Sequence, residues 1–131
     1  MNPLAVLVAD DEEEIRHLLE RMLKPMGCAV TCVVNGAEVV AQLKRGRFDL
    51  IVTDILMPGG DGFKLIGEIR KIQPDARILA ISGGGRFMDS RNYLKIARTI
   101  GADAAVVKPF DRDLFMAGVS QAMAPRAAPC A

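Results

Sequence analysis

The chain predicts an α/β domain built on a five-stranded parallel sheet, on two observations. Short apolar runs alternate with longer stretches of helical period, five times over. That alternation implies right-handed crossovers and a sheet covered by helices on both faces. Finally, three carboxylates, a hydroxyl and a lysine stand at the ends of four of the apolar runs.

The first run, residues 4–9, ends in Asp10-Asp11. Ile15, Leu18, Leu19, Met22 and Leu23 then recur at the spacing of a single helical stripe. A second run, residues 28–33, precedes a helix over about 36–45 carrying Val39, Val40 and Leu43. The third run, residues 49–53, contains Leu50-Ile51-Val52-Thr53 and leads straight into Asp54. A helix over about 62–73 follows, with Phe63, Ile66, Ile69 and Ile72 on its apolar face. The fourth run, residues 77–81, ends at Ser82, and a helix over about 89–100 carries Leu94, Ala97 and Ile100. The fifth run, residues 104–107, ends at Lys108-Pro109. The last helix, over about 111–123, opens at Asp111 as N-cap and carries Leu114, Phe115 and Val119. Five such units in one small domain predict a flavodoxin-like (βα)5 fold with strand order 2-1-3-4-5. The domain is expected over residues 1–124, with 125–131, small and proline-rich, as a flexible tail.

Composition narrows the function classes. The chain has 131 residues, enough for one good core, with 17 basic against 16 acidic side chains. Nothing in that balance points to direct contact with nucleic acid or a membrane surface. No apolar run approaches the roughly 18 residues of a membrane span, and a cytoplasmic protein is the expectation. Cys28 and Cys32, four apart on a strand, lie about 13 Å from each other, too far to bridge. They are expected to be buried or half-buried structural thiols, and Cys130 falls in the tail. His17, beside Arg16 on a charged helix, reads as a surface histidine.

In the order 2-1-3-4-5, strands 1, 3, 4 and 5 are neighbours. Their carboxyl ends bring Asp10, Asp11, Asp54, Ser82 and Lys108 to one crevice, where open parallel sheets bind ligands. Carboxylates gathered there repel one another unless a cation lies between them, so they are expected to destabilise the metal-free protein. Mg2+ takes oxygen ligands, usually one or two carboxylates plus waters. Asp11 and Asp54 are the direct ligands by this reading, and Asp10 contacts the ion through a water. Asp54 can then attack phosphorus, while Ser82 and Lys108 hold phosphoryl oxygens. The alternative use of the aspartates, as helix caps, leaves their meeting with Lys108 unexplained.

Four stretches in order carry a resemblance to receiver (response-regulator) domains of two-component signalling. They are Val8-Ala9-Asp10-Asp11-Glu12, Asp54-Ile55-Leu56-Met57-Pro58 with Asp61-Gly62, Ile81-Ser82-Gly83, and Gly101-Ala102-Asp103 with Val107-Lys108-Pro109-Phe110. The resemblance covers residues 3–124. It implies a phosphoacceptor rather than an enzyme with an external substrate, assisting only its own phosphorylation and dephosphorylation. Asp54 would receive its phosphoryl group from a phosphohistidine of a histidine kinase or a histidine phosphotransfer protein. The modified surface would control a downstream protein or pass the group on. The resemblance further implies that the main-chain carbonyl of Leu56 joins the Mg2+ shell and that the Lys108–Pro109 peptide is cis.

Three positions depart from the family pattern. Ala105 stands where an aromatic is usual, Leu56 where a polar side chain is common, and the segment from Ser82 to Lys108 is long, with Gly83-Gly84-Gly85. Without a side-chain rotamer at residue 105, the readout is expected to pass through the 83–89 connection, with Phe87 docking or releasing. The competing function is a Mg2+-dependent phosphatase or hydrolase with Asp54 as nucleophile. That chemistry uses a second aspartate two residues on, where this chain has Leu56.

Overall fold

The computed structural model of the protein describes residues 3–55, 62–82 and 101–125. Five strands appear where the apolar runs lie: β1 (Ala5–Ala9), β2 (Ala29–Val33), β3 (Leu50–Asp54), β4 (Arg77–Ser82) and β5 (Ala104–Val107). They form one parallel sheet in the order β2-β1-β3-β4-β5, as expected. The described helices are α1 (Glu13–Leu23), α2 (Gly36–Arg45), α3 (Gly62–Ile72) and α4 (Arg112–Met123). A single 3-10 turn, Lys24–Met26, ends α1 and reaches Gly27 at φ 79°, a left-handed position suited to glycine. The helix expected over 89–100 lies outside the described residues.

Strand side chains alternate between two apolar layers. On one face Leu7, Ile51 and Ile78 meet Val39 and Leu43 of α2 and Ile66 and Ile69 of α3. On the other, Val6, Val8, Leu50, Val52 and Leu79 meet Leu19 and Leu23 of α1 and Phe115, Val119 and Ala122 of α4. Each fully buried Leu, Ile or Phe contributes about 1.5–3 kcal/mol relative to exposure. Asp111 caps α4 as expected, its Oδ1 accepting from the Leu114 amide at 2.8 Å.

Four expectations are corrected. Leu114 is 56% exposed and Leu18 lies at the exposed rim of α1. The buried stripe of α4 is Phe115, Gly118, Val119 and Ala122, one position on from Leu114. Cys32 is exposed rather than buried, because β2 is an edge strand with incomplete helical cover. Cys28 is half-buried as expected, and it precedes β2 instead of belonging to it.

One polar clamp fixes the start of β5. Arg70 of α3 donates to the Gly101 carbonyl at 3.0 Å, to the Ala76 carbonyl at 2.6 Å and to Asp103 Oδ2 at 2.8 Å. The same Asp103 oxygen accepts from the Ile78 amide at 2.9 Å, tying β4 to β5. Gly101, at φ 102°, makes the turn that presents its carbonyl to Arg70. The Gly101-Ala102-Asp103 stretch thus sets the register of the strand that ends at Lys108.

Candidate functional site

The carboxyl ends of β1, β3, β4 and β5 meet as the strand order requires. Asp10 follows β1 and is fully buried. Its amide donates to the Val33 carbonyl at 3.2 Å, and its Oδ1 accepts from the Glu12 amide at 2.9 Å. That bond is the local turn use of an aspartate, so Asp10 serves the turn and the crevice at once. Asp11 is exposed beside it, and Asp54, the last residue of β3, is 4% exposed. Ser82 is fully buried at the end of β4. Its carbonyl accepts from the Lys108 amide at 2.7 Å, which brings the end of β5 alongside. The Lys108–Pro109 peptide is cis, as the resemblance implied.

Lys108 spans two carboxylates. Its Nζ donates to Asp54 Oδ2 at 2.9 Å and stands 3.2 Å from Asp10 Oδ2. The second contact is an ion pair without hydrogen-bond alignment. Asp10 Oδ2 is accordingly a buried oxygen with no hydrogen-bond donor among the described residues. The carboxylates are therefore not left wholly uncompensated without metal, as the sequence had implied: Lys108 supplies a positive charge between two of them.

The titrations follow from this geometry. Burial holds the Asp10 carboxyl above its ordinary value of 3.8. The Asp54 charge acts in the same direction, against the Glu12 amide and the Lys108 ammonium. For Lys108, burial works against the charged form, but the hydrogen bond and charge of Asp54, with Asp10, outweigh it and hold the ammonium above 10.5.

One oxygen each of Asp10, Asp11 and Asp54 lies within 4.8 Å of the others. Hard divalent cations take such oxygens at about 2.0–2.6 Å, so a modest closing of the three would place all of them on one ion. The buried Asp10 Oδ2, which among the described residues faces only the Lys108 ammonium it shares with Asp54, gives the same indication, since one cation cannot balance three neighbouring carboxylates. The residues present fit a divalent cation.

Asp10, Asp11, Asp54 and Lys108 come together at the ends of β1, β3 and β5, and Ser82 stands buried at the end of β4 beside them in the sheet. The Leu56 carbonyl, Gly83–Gly85 and Phe87 fall outside the described residues. Ala105 is half-buried on β5 opposite Ala80, packed against the α2–α3 layer. His17 is an exposed residue 3.8 Å from Glu13, as expected. Two arginines were not anticipated: Arg70, described above, and Arg16, whose Nη1 donates to the Asp10 carbonyl at 2.8 Å. Both sit among other charged helix residues, and no spacing distinguishes them.

Residues 6–120 match the response regulator receiver domain family. The chain belongs to that family. Its acidic pocket of Asp10, Asp11 and Asp54 fits the phosphoacceptor site of a two-component receiver domain. The DNA-binding transcriptional regulator NtrC of Azospirillum brasilense is 34% identical over 131 residues, all of this chain and 26% of that relative. This receiver domain spans about a quarter to two fifths of the curated relatives it matches. Among solved structures, the Thermotoga maritima response regulator TrrA, in complex with Mg2+-BeF, is 34% identical with a TM-score of 0.76. The match covers 91% of this receiver domain and 98% of that chain. A Burkholderia pseudomallei response regulator, solved with a phosphorylated aspartic acid and a calcium ion, is 30% identical with a TM-score of 0.76. It is matched over 88% of this receiver domain and 65% of its own chain. No helix among the described residues is long and apolar enough to cross a membrane.

Proposed function

We propose that Asp54 is the phosphoacceptor of a two-component phosphorelay and that Mg2+ is its cofactor. The observation that carries this reading is Lys108 Nζ at 2.9 Å from Asp54 Oδ2, beside carboxylate oxygens of Asp10 and Asp11 within 4.8 Å. The phosphorylated aspartate of the Burkholderia relative and the Mg2+ of TrrA support it by likeness. Asp10, Asp11 and Asp54 would hold the ion, with the Leu56 carbonyl as a further ligand. Bound there, Mg2+ supplies positive charge to phosphoryl oxygens and lowers the repulsion between carboxylates.

In the transfer, an Asp54 carboxylate oxygen bonds to phosphorus as the P–N bond of a phosphohistidine breaks. The bonding pair leaves with the imidazole nitrogen of the donor. Lys108 balances charge on one phosphoryl oxygen, and the Ser82 hydroxyl donates to another. The partners by this reading are a histidine kinase or histidine phosphotransfer protein upstream and a downstream protein that reads the modified surface. Acetyl phosphate with Mg2+ is expected to add one phosphoryl mass, and Asp54→Asn to abolish it. Full labelling of the Asn variant would overturn the assignment.

A further inference from the structure

The β1–α1 turn is closed by three hydrogen bonds around Asp11. The Glu12 amide donates to Asp10 Oδ1 at 2.9 Å. The Arg16 amide donates to the Glu12 carbonyl at 3.1 Å, the first bond of α1. Arg16 Nη1 then reaches back past both residues to the Asp10 carbonyl at 2.8 Å. Asp11, between the bonded residues, keeps its own side chain exposed beside the acidic cluster.

Arg16 is half-buried, and Glu12, Glu13, Glu14 and Glu20 all lie within four residues of it. It makes no ion pair with any of them among the described residues. A surface arginine in such an acidic stretch commonly pairs with a carboxylate at i±4. Here its fixed fork of donors serves a backbone carbonyl at the edge of the site.

From this we infer that Arg16 is a positioning residue for the divalent cation: it presets the Asp10–Glu12 turn so that the Asp11 carboxylate faces Asp10 and Asp54. The inference rests on the cation-site reading above and adds to it a residue that would touch neither metal nor phosphoryl group. Partners that orient metal ligands are typically worth 10–100-fold in affinity. Charge alone predicts the opposite sign. Removing a cation from beside an acidic cluster should tighten divalent binding, whereas loosening the turn should weaken it.

The sign is the test. Mn2+ binding, followed by electron paramagnetic resonance on the intact chain, is expected to weaken about ten-fold in Arg16→Met. Arg16→Lys, which keeps the charge and one donor, should fall between that variant and the wild type. In metal-free Arg16→Met the Glu12 amide should exchange faster, which reads the turn without any ion. Labelling by acetyl phosphate should need more Mg2+ for half-saturation yet recover at saturating Mg2+. If Arg16→Met does not fold, Arg16→Gln gives the same reading. Equal or tighter Mn2+ binding in the variants overturns the inference while leaving the cation site standing. A labelling loss that saturating Mg2+ does not recover also overturns it, by assigning Arg16 to the phosphoryl group. A wild type that binds no Mn2+ removes the site and the inference together.

Discussion

Asp10 and Lys108 face each other across the crevice, and their titrations pull stability in opposite directions. Because the folded carboxyl of Asp10 is held above 3.8, the native state keeps a proton there that the unfolded chain has already lost. Its ionisation therefore costs stability at neutral pH, and that cost is relieved as pH falls through the raised value. Lys108 behaves in the opposite sense. Its contribution is complete below 10.5 and is lost as pH rises through its higher folded value. Denaturant titrations of the metal-free protein should show both, with the acid-side gain absent in Asp10→Asn. Superposable acid profiles for the two proteins would show that burial of Asp10 carries no such cost. At this scale the sequence announced the meeting of Asp10, Asp11, Asp54 and Lys108, because acidic and basic residues at the ends of apolar strands are conspicuous. It did not announce Arg16 or Arg70, whose roles depend on reaching particular carbonyls.

Helix α4 lies unusually close to the sheet at one point. A Cβ built on Gly118 would stand 2.5 Å from Val106 Cγ2 and 3.2 Å from Leu79 Cδ1. Val106 is branched and its side chain has little freedom to retreat, so α4 must shift outward to accept a methyl group. Gly118→Ala is expected to lower unfolding free energy by about 1–3 kcal/mol, despite the better helix propensity of alanine. A variant as stable as wild type would show that the helix has room to move. This element also shows where apolar pattern reading stops. The strongest apolar letters of α4 are Leu114 and Phe115, yet the helix turns Leu114 outward and buries Gly118 and Ala122. Small residues carry little hydrophobic signal, and here they are what permits close packing. The same limit applies to Cys32, since exposure on an edge strand is set by the cover beside it and not by the residue.

For the molecule as a whole, alternating strands and helices were enough to order the sheet, because parallel connections leave few right-handed arrangements. Strand order in turn placed the crevice. The Lys108 bridge then has a consequence in time. Asp10, Asp11 and Asp54 meet as soon as β1 and β3 pair, but their compensating ammonium arrives on β5, the last strand of the sequence. Whenever β1 and β3 pair before β5 docks, the three carboxylates have only solvent ions to balance them. Non-local parallel pairing is slow for chain-entropy reasons, and this repulsion adds to its barrier. Mg2+ is therefore expected to accelerate refolding in stopped-flow experiments as well as to slow unfolding. A refolding rate indifferent to Mg2+, with slower unfolding, would place the meeting of the carboxylates after the rate-limiting step. The cation expected to serve phosphoryl chemistry in the finished protein would then have a prior role, holding together an acidic edge while the chain is still acquiring its lysine.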